Sequence, residues 1–207
     1  MPILLTLDRA KVSGSLELPG DWEPRQVPTF PEFSFPRTFD NPLLPTLREI
    51  LAAAPTIQVT QDEHGIVRMR DPAIPEDILN VRIAHIEFRG NGIDPQGPNY
   101  DPDDSLAAIM RAPEMVAFKK ANGFGWPAEG MRAVPGNFSS GYWPPQQPHL
   151  SGALNNVSLS EALDYVLKTF PGIWVYANYP ATVSDHRNVY FGFFRLDKSG
   201  HSVYVVQ

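Results

Sequence analysis

Histidines, an acidic loop, a serine pair and a group of loop aromatics are the side chains here with a claim to chemistry. His64 stands beside Asp62 and Glu63, and His186 beside Asp185. Imidazole with carboxylates is a metal-ligating combination. Both pairs fall in polar turns, however, where charged residues are ordinarily just solvated, and that is how we read them. His85 lies in the strand-like run Val81 to Phe88 and reads as a half-buried histidine with a backbone partner. His149 and His201 are isolated, and neither HxxxH nor HExxH occurs. The loop Asn99 to Ser105 invites a calcium reading. Counting from Asp101, though, puts Leu106 where an EF-hand needs glycine and Ala112 where it needs glutamate. Asp103 and Asp104 suit the start of a helix better. Gly136 to Gly141, with Ser139-Ser140, is not G-x-S-x-G, and no complete phosphate-binding glycine loop is present. The carboxylates are scattered along the chain. We therefore expect no metal, no cofactor and no catalytic residues. Trp126, Tyr142 and Trp143 remain. They lie among glycines and prolines, where a stiff loop can hold rings out as anchors for a partner, although such loops also use rings to pin themselves down.

The elements that must position these groups are short. Proline and glycine total 37 of 207 residues, about 18%, against roughly 12% in ordinary chains. Long bundles and coiled coils are excluded on that ground. Residues 43–59 and 159–175 align without a gap at an offset of 116 residues. Leu43, Leu47, Ile50 and Leu51 meet Leu159, Leu163, Val166 and Leu167, an i, i+4, i+7, i+8 helical stripe. Pro55 then meets Pro171, while Ile57 and Val59 meet Ile173 and Val175 with strand-like alternation. We read this as an internal repeat of helix, proline stop and strand.

Each helix is punctuated. Asn156 or Ser158 can cap the second, with Glu161 completing a capping box, and Pro171-Gly172 ends it. Pro45 opens the first and Pro55 stops it. A hairpin follows each: Ile57 to Thr60 with Ile66 to Arg70, then Trp174 to Tyr176 with Asn188 to Phe194. A further strand follows each hairpin, Leu79 to Phe88 and Ser202 to Val206. The fold class expected is α+β: two related helix-plus-β-hairpin units separated by an irregular insert. The boundaries are 1–37 for a proline-rich N-terminal wrap, 38–90 for unit one, 91–149 for the insert and 150–207 for unit two. The insert holds nine prolines and seven glycines, with one helix expected from Asp104 to Ala121, broken or kinked at Pro113.

A net charge of −6 argues against a nucleic-acid-coating surface. Without cysteine there is no disulfide, thiolate metal site or thiol nucleophile. No apolar run approaches a membrane span of roughly 18 residues, and Met1 to Leu7 is too short for a signal core.

Leu154-Asn155-Asn156-Val157-Ser158-Leu159-Ser160-Glu161-Ala162-Leu163, followed by Pro171-Gly172 and a hairpin, resembles the short N-terminal domain of secretins and TonB-dependent transducers. There a strand leads into N-V-S-L-x-E-A-L. The resemblance is clearest over 150–195 and weaker over 38–70. It implies a small α+β docking or signalling module of the periplasm that binds protein partners without catalysis. The function expected is accordingly a non-catalytic protein- or ligand-binding module of the bacterial cell envelope, taking a protein or glycan partner. The alternative is a small hydrolase or glycan-processing enzyme with its site under the 91–150 insert.

Overall fold

The computed structural model describes residues 2–19, 42–52, 54–89, 102–123, 149–179, 188–196 and 202–206. Helix α1 (Pro2–Ala10) leads into strand β1 (Gly14–Pro19), then helix α2 (Leu43–Ile50) and the hairpin β2 (Gln58–Gln61) and β3 (Val67–Arg70). Strand β4 (Arg82–Arg89), helices α3 (Pro102–Met110) and α4 (Pro113–Asn122) and strand β5 (Ser151–Ser158) follow. Helix α5 (Leu159–Thr169) and strands β6 (Ile173–Tyr179), β7 (Asn188–Leu196) and β8 (Ser202–Val206) complete the order. The class is α+β.

The local chemistry that starts and stops these elements is visible in the geometry. Ser158 Oγ accepts from the Glu161 N–H at 3.2 Å, and the Glu161 carboxylate accepts from the Ser158 N–H at 2.6 Å. This reciprocal box satisfies two donors that a helix start otherwise leaves unpaired. Its apolar stripe, Leu159, Ala162, Leu163, Val166 and Leu167, is buried. The helical stretch expected over 104–121, with a break or kink at Pro113, is broken there into two helices. Pro113 opens α4 at its first turn, and Ala112 before it is extended at φ −54°, ψ 139°, because the proline ring excludes the helical conformation from its predecessor. Gly123, at φ 61°, ends α4 in the left-handed region.

One six-stranded sheet runs in the order β2-β3-β1-β6-β7-β8, and β4 and β5 form a separate antiparallel pair. β1 is parallel to both neighbours, with Ser15 level with Arg68 and Trp174, and Glu17 level with Arg70 and Tyr176. The other pairings are antiparallel. Gly14 begins β1 because nothing larger fits: a Cβ there would lie 2.7 Å from the Val67 carbonyl oxygen.

Alternation along the strands gives two cores. On one face α1 and α2 pack Leu7, Leu47, Ile50 and Leu51 against Val59, Val67, Met69 and Ile173. On the other, α3 and α5 lie between the large sheet and the β4–β5 ribbon. There Leu106, Ile109, Leu163 and Val166 meet Trp174, Tyr176 and Phe191 on one side and Ile83, Ile86 and Phe88 on the other.

Residues 2–19 of the segment 1–37, expected as a surface wrap, supply a helix and the strand at the middle of the sheet. The two helix-plus-hairpin units exist in the expected order, but their packing differs. Ile57 and Val59 share a core with their own helix, α2. Ile173, placed opposite Ile57 by the 116-residue offset, also lies in the α1–α2 core, away from α5, which instead takes Trp174 and Tyr176. The strands β4 and β8 that follow the hairpins diverge as well, β4 joining the ribbon and β8 the edge of the large sheet.

Candidate functional site

Two features collect polar groups or open backbone: a charged strip inside the molecule and the edges of the sheets. The strip arises because β1 and β3 place Leu16, Leu18, Val67 and Met69 toward α2, which turns Ser15, Glu17, Arg68 and Arg70 to the face covered by α5 and residues 71–80. Arg68 is the hub. Its Nε and Nη2 donate to Asp62 Oδ2 at 3.1 and 2.7 Å, and its Nη1 and Nη2 donate to Asp164 on α5 at 2.9 and 2.5 Å. The same Asp164 accepts from the buried Trp174 indole N–H at 2.8 Å. Asp164 thus bridges β3 to β6 across Ser15. Burial works against the Arg68 charge, but Asp164 and Asp62 outweigh it and hold the guanidinium more firmly protonated than usual. Burial also pushes Asp62 upward, yet the Ile66 N–H, the Arg68 guanidinium and the His64 N–H together hold it below its ordinary range.

One row along, Arg70 forms an ion pair with Glu76 and donates to the Ile74 carbonyl at 3.0 Å. Its Nε also stands 3.2 Å from Glu17 Oε2, but off line, so the contact is an ion pair without a hydrogen bond. Glu17 is 5% exposed. Burial pushes its carboxyl above the ordinary 4.5, Arg70 and Arg68 oppose that, and Asp164 adds to it. Ser15 is fully buried beside it with its hydroxyl unpartnered. Asp71 anchors the start of the covering segment by accepting from Thr56 Oγ1 at 2.7 Å and the Ala73 N–H at 2.9 Å. These carboxylates neutralise guanidiniums and tie turns together, so the strip joins unit one to α5.

The edges differ in how they are finished. β2 is four residues long, and Arg48 of α2 donates to the Val59 carbonyl at 3.0 Å, occupying the middle of its outer side. An open groove of about 440 Å³ runs beside it, lined by Arg48, Leu51, Pro55, Ile57 and Val59. On the outer side of β4, Glu114 of α4 accepts from the Ala84 N–H at 3.2 Å. β5 is eight residues long, pairs only with β4 among the described residues, and carries neither charge nor proline. Ser151, Gly152, Ala153, Asn155 and Asn156 are exposed along it. Gly152, at φ +115°, lies against α5, where a Cβ would meet the Tyr165 hydroxyl at 2.4 Å. That hydroxyl donates to the Ser151 carbonyl at 2.8 Å.

The residues singled out from sequence distribute as follows. Trp126, Tyr142 and Trp143 lie outside the described residues, as do Asp101, His186 and His201. His64 sits exposed in the β2–β3 turn with its Nε2 3.7 Å from Glu63. His85 corrects the expectation of a half-buried ring with a backbone partner: it is exposed, and its Nδ1 pairs with Asn155 Oδ1 at 2.7 Å. Asp103 and Asp104 fall in the first turn of α3 rather than at its cap. Among the described residues no group of three metal-ligating side chains comes together, and no helix is long and apolar enough to cross a membrane. No family model, no curated protein and no solved structure matches this chain.

Proposed function

We propose that this chain is a non-catalytic binding module of the bacterial cell envelope that takes an extended segment of a protein partner along the open edge of β5. The supporting observation is the contrast among edges. A row of unpaired backbone N–H and C=O groups is a template for another strand, and proteins blunt such rows with charge, proline or cover. β2 and β4 have their guards, Arg48 and Glu114. β5 is longer than β2 or β8, and among the described residues only its first residue is covered, where the Tyr165 hydroxyl takes the Ser151 carbonyl. Main-chain hydrogen bonds would supply affinity, and the small side chains of Ala153 and Asn155 leave a neighbouring strand free to approach. β5 is also the strand that carries the secretin and TonB-transducer resemblance, which supports a docking role and a periplasmic setting. Trp126, Tyr142 and Trp143 are proposed as additional anchors. Trp143 precedes Ser151 by only eight residues in the sequence, which places it close along the chain to the proposed edge.

The reading is tested with a displayed library of random peptides, selected on the intact protein and mapped by amide hydrogen exchange. Selected peptides should protect the 151–158 amides. Binding should be lost in the pair Ala153→Lys and Asn155→Lys, which charges the edge without touching the core, while the melting curve stays unchanged. Peptides that protect other segments, or that bind the doubly charged edge undiminished, refute the site. Alanine at Trp126 and Trp143 separates anchors, which lose binding alone, from buried pins, which lose stability.

A further inference from the structure

The charged strip is unbalanced. Four carboxylates, Glu17, Asp62, Glu76 and Asp164, face two guanidiniums, Arg68 and Arg70. Asp62 and Asp164 have several well-aligned donors each. Glu17 has none at Oε2, although it sits on the central strand under cover. A buried carboxylate oxygen without a hydrogen bond is a costly arrangement that calls for a cause. The groups around it are Arg68 and Arg70 from β3, Asp164 from α5, Tyr176 from β6, and Asp71 and Glu76 from the covering segment 71–80, whose Asp77 is exposed. Arg70 is divided between the two sides. Glu17 draws it toward β1, while Glu76 and the Ile74 carbonyl draw it toward the segment.

We propose that Glu17 is a proton-operated latch for the 71–80 segment. Ionised, it competes with Glu76 for Arg70. Protonated, it stops competing, and the guanidinium settles on Glu76 and the Ile74 carbonyl, clamping the segment onto the sheet. The segment also receives the Tyr176 hydroxyl at the Pro75 carbonyl, 3.4 Å away, and leads directly into β4 of the ribbon. Clamping it therefore firms the connection between the two sheets. The direction follows from linkage. Because the folded state holds the Glu17 proton more tightly than the unfolded chain, stability from this group rises as pH falls through the raised value and levels off below the ordinary one.

The experiment follows thermal melting and amide exchange of wild type, Glu17→Gln and Glu76→Gln from about pH 8 to about pH 5. Carboxyl carbon NMR of the wild type reads Glu17 directly. Glu17 should titrate above the other glutamates. The wild-type midpoint should rise by several degrees relative to Glu17→Gln on acidification, with slower exchange across 72–80. Glu76→Gln should remove the pH effect on exchange while leaving the Glu17 titration in place. A Glu17 resonance that titrates in the ordinary range overturns the proposal, and needs no variant to fold. So does a pH-independent gap between wild type and Glu17→Gln, or an undiminished exchange effect in Glu76→Gln.

Discussion

Replacing Asp164 by alanine tests how the two halves of the fold are held together. Its carboxylate accepts two hydrogen bonds from Arg68 and one from the Trp174 indole, and both rows of contacts are at least half-buried. Removing it leaves the Trp174 N–H, on a side chain 1% exposed, without an acceptor, which costs about 1–3 kcal/mol. Losing charge-assisted bonds to Arg68 costs about 1.5–3 kcal/mol more. Arg68 keeps Asp62, so no guanidinium is stranded and the total should be near 3–4 kcal/mol rather than the larger cost of an uncompensated buried charge. Against a stability of about 5–15 kcal/mol that is a large fraction. Urea unfolding of Asp164→Ala, Trp174→Phe and the double variant closes a cycle. The coupling should be about 1 kcal/mol or more, because Phe offers no N–H to orphan. A loss below about 1 kcal/mol for Asp164→Ala, or a coupling indistinguishable from zero, would show that the bridge across Ser15 does not hold α5 to the sheet.

Further outcomes follow from the same geometry. Leu47→Asp and Leu163→Asp each bury a carboxylate in a different core and should abolish a cooperative melt; one that melts like wild type removes that helix from its assigned face. Gly152→Ala places a methyl group against Tyr165 at a positive φ and should cost about 1–3 kcal/mol in denaturant unfolding, while an unchanged midpoint refutes the β5–α5 contact. The Ser158 N–H, with further help from the Ser158 hydroxyl and Arg82, holds Glu161 below its ordinary range. Its contribution is thus complete above about pH 4.5 and lost as pH falls through the lowered value. Glu161→Gln should accordingly flatten that part of the acid limb. EDTA and added zinc or calcium should leave the melting temperature unchanged; a reproducible rise with one ion would establish a site that only the native state offers.

What the sequence disclosed was local. Ser158 and Glu161 are three residues apart, Pro113 excludes helix at Ala112, and the β2–β3 turn advertises itself through Asp62 and Gly65; each signal acts within a few residues of its effect. β1 was hidden because Gly-Ser-Leu-Glu-Leu-Pro has the alternation of an exposed edge. Its polar residues are buried only because Arg68 and Arg70, more than fifty positions later, arrive beside them. α1 was equally hidden, as Met1 to Leu7 reads as an apolar run without caps. The 116-residue offset matched residue types along the chain but could not report which face each strand turns to its helix. Strand faces depend on partners elsewhere, and Trp174 and Tyr176 took the face that the alignment gave to Ile173 and Val175. His85 was misread for a related reason. Burial along β4 switches phase between Ile83 and Ile86, opposite Asn156 at φ +50°, and that irregularity turns the ring outward.

The middle position of β1 has a consequence for the order in which the molecule is assembled. It comes first among the described strands, yet its two neighbours start at Val67 and Ile173, the latter 159 residues beyond Gly14 in the pairing. Neither hairpin can seal the sheet by itself. A nascent chain holds β2–β3 with one flank covered by β1, and the other flank of β1 stays open until β6 emerges. Contacts so distant along the chain make for slow closure and a long interval with an unpaired strand. A refolding rate that falls in Asp164→Ala, where Arg68 has no Asp164 to recruit, is the kinetic signature expected of this topology.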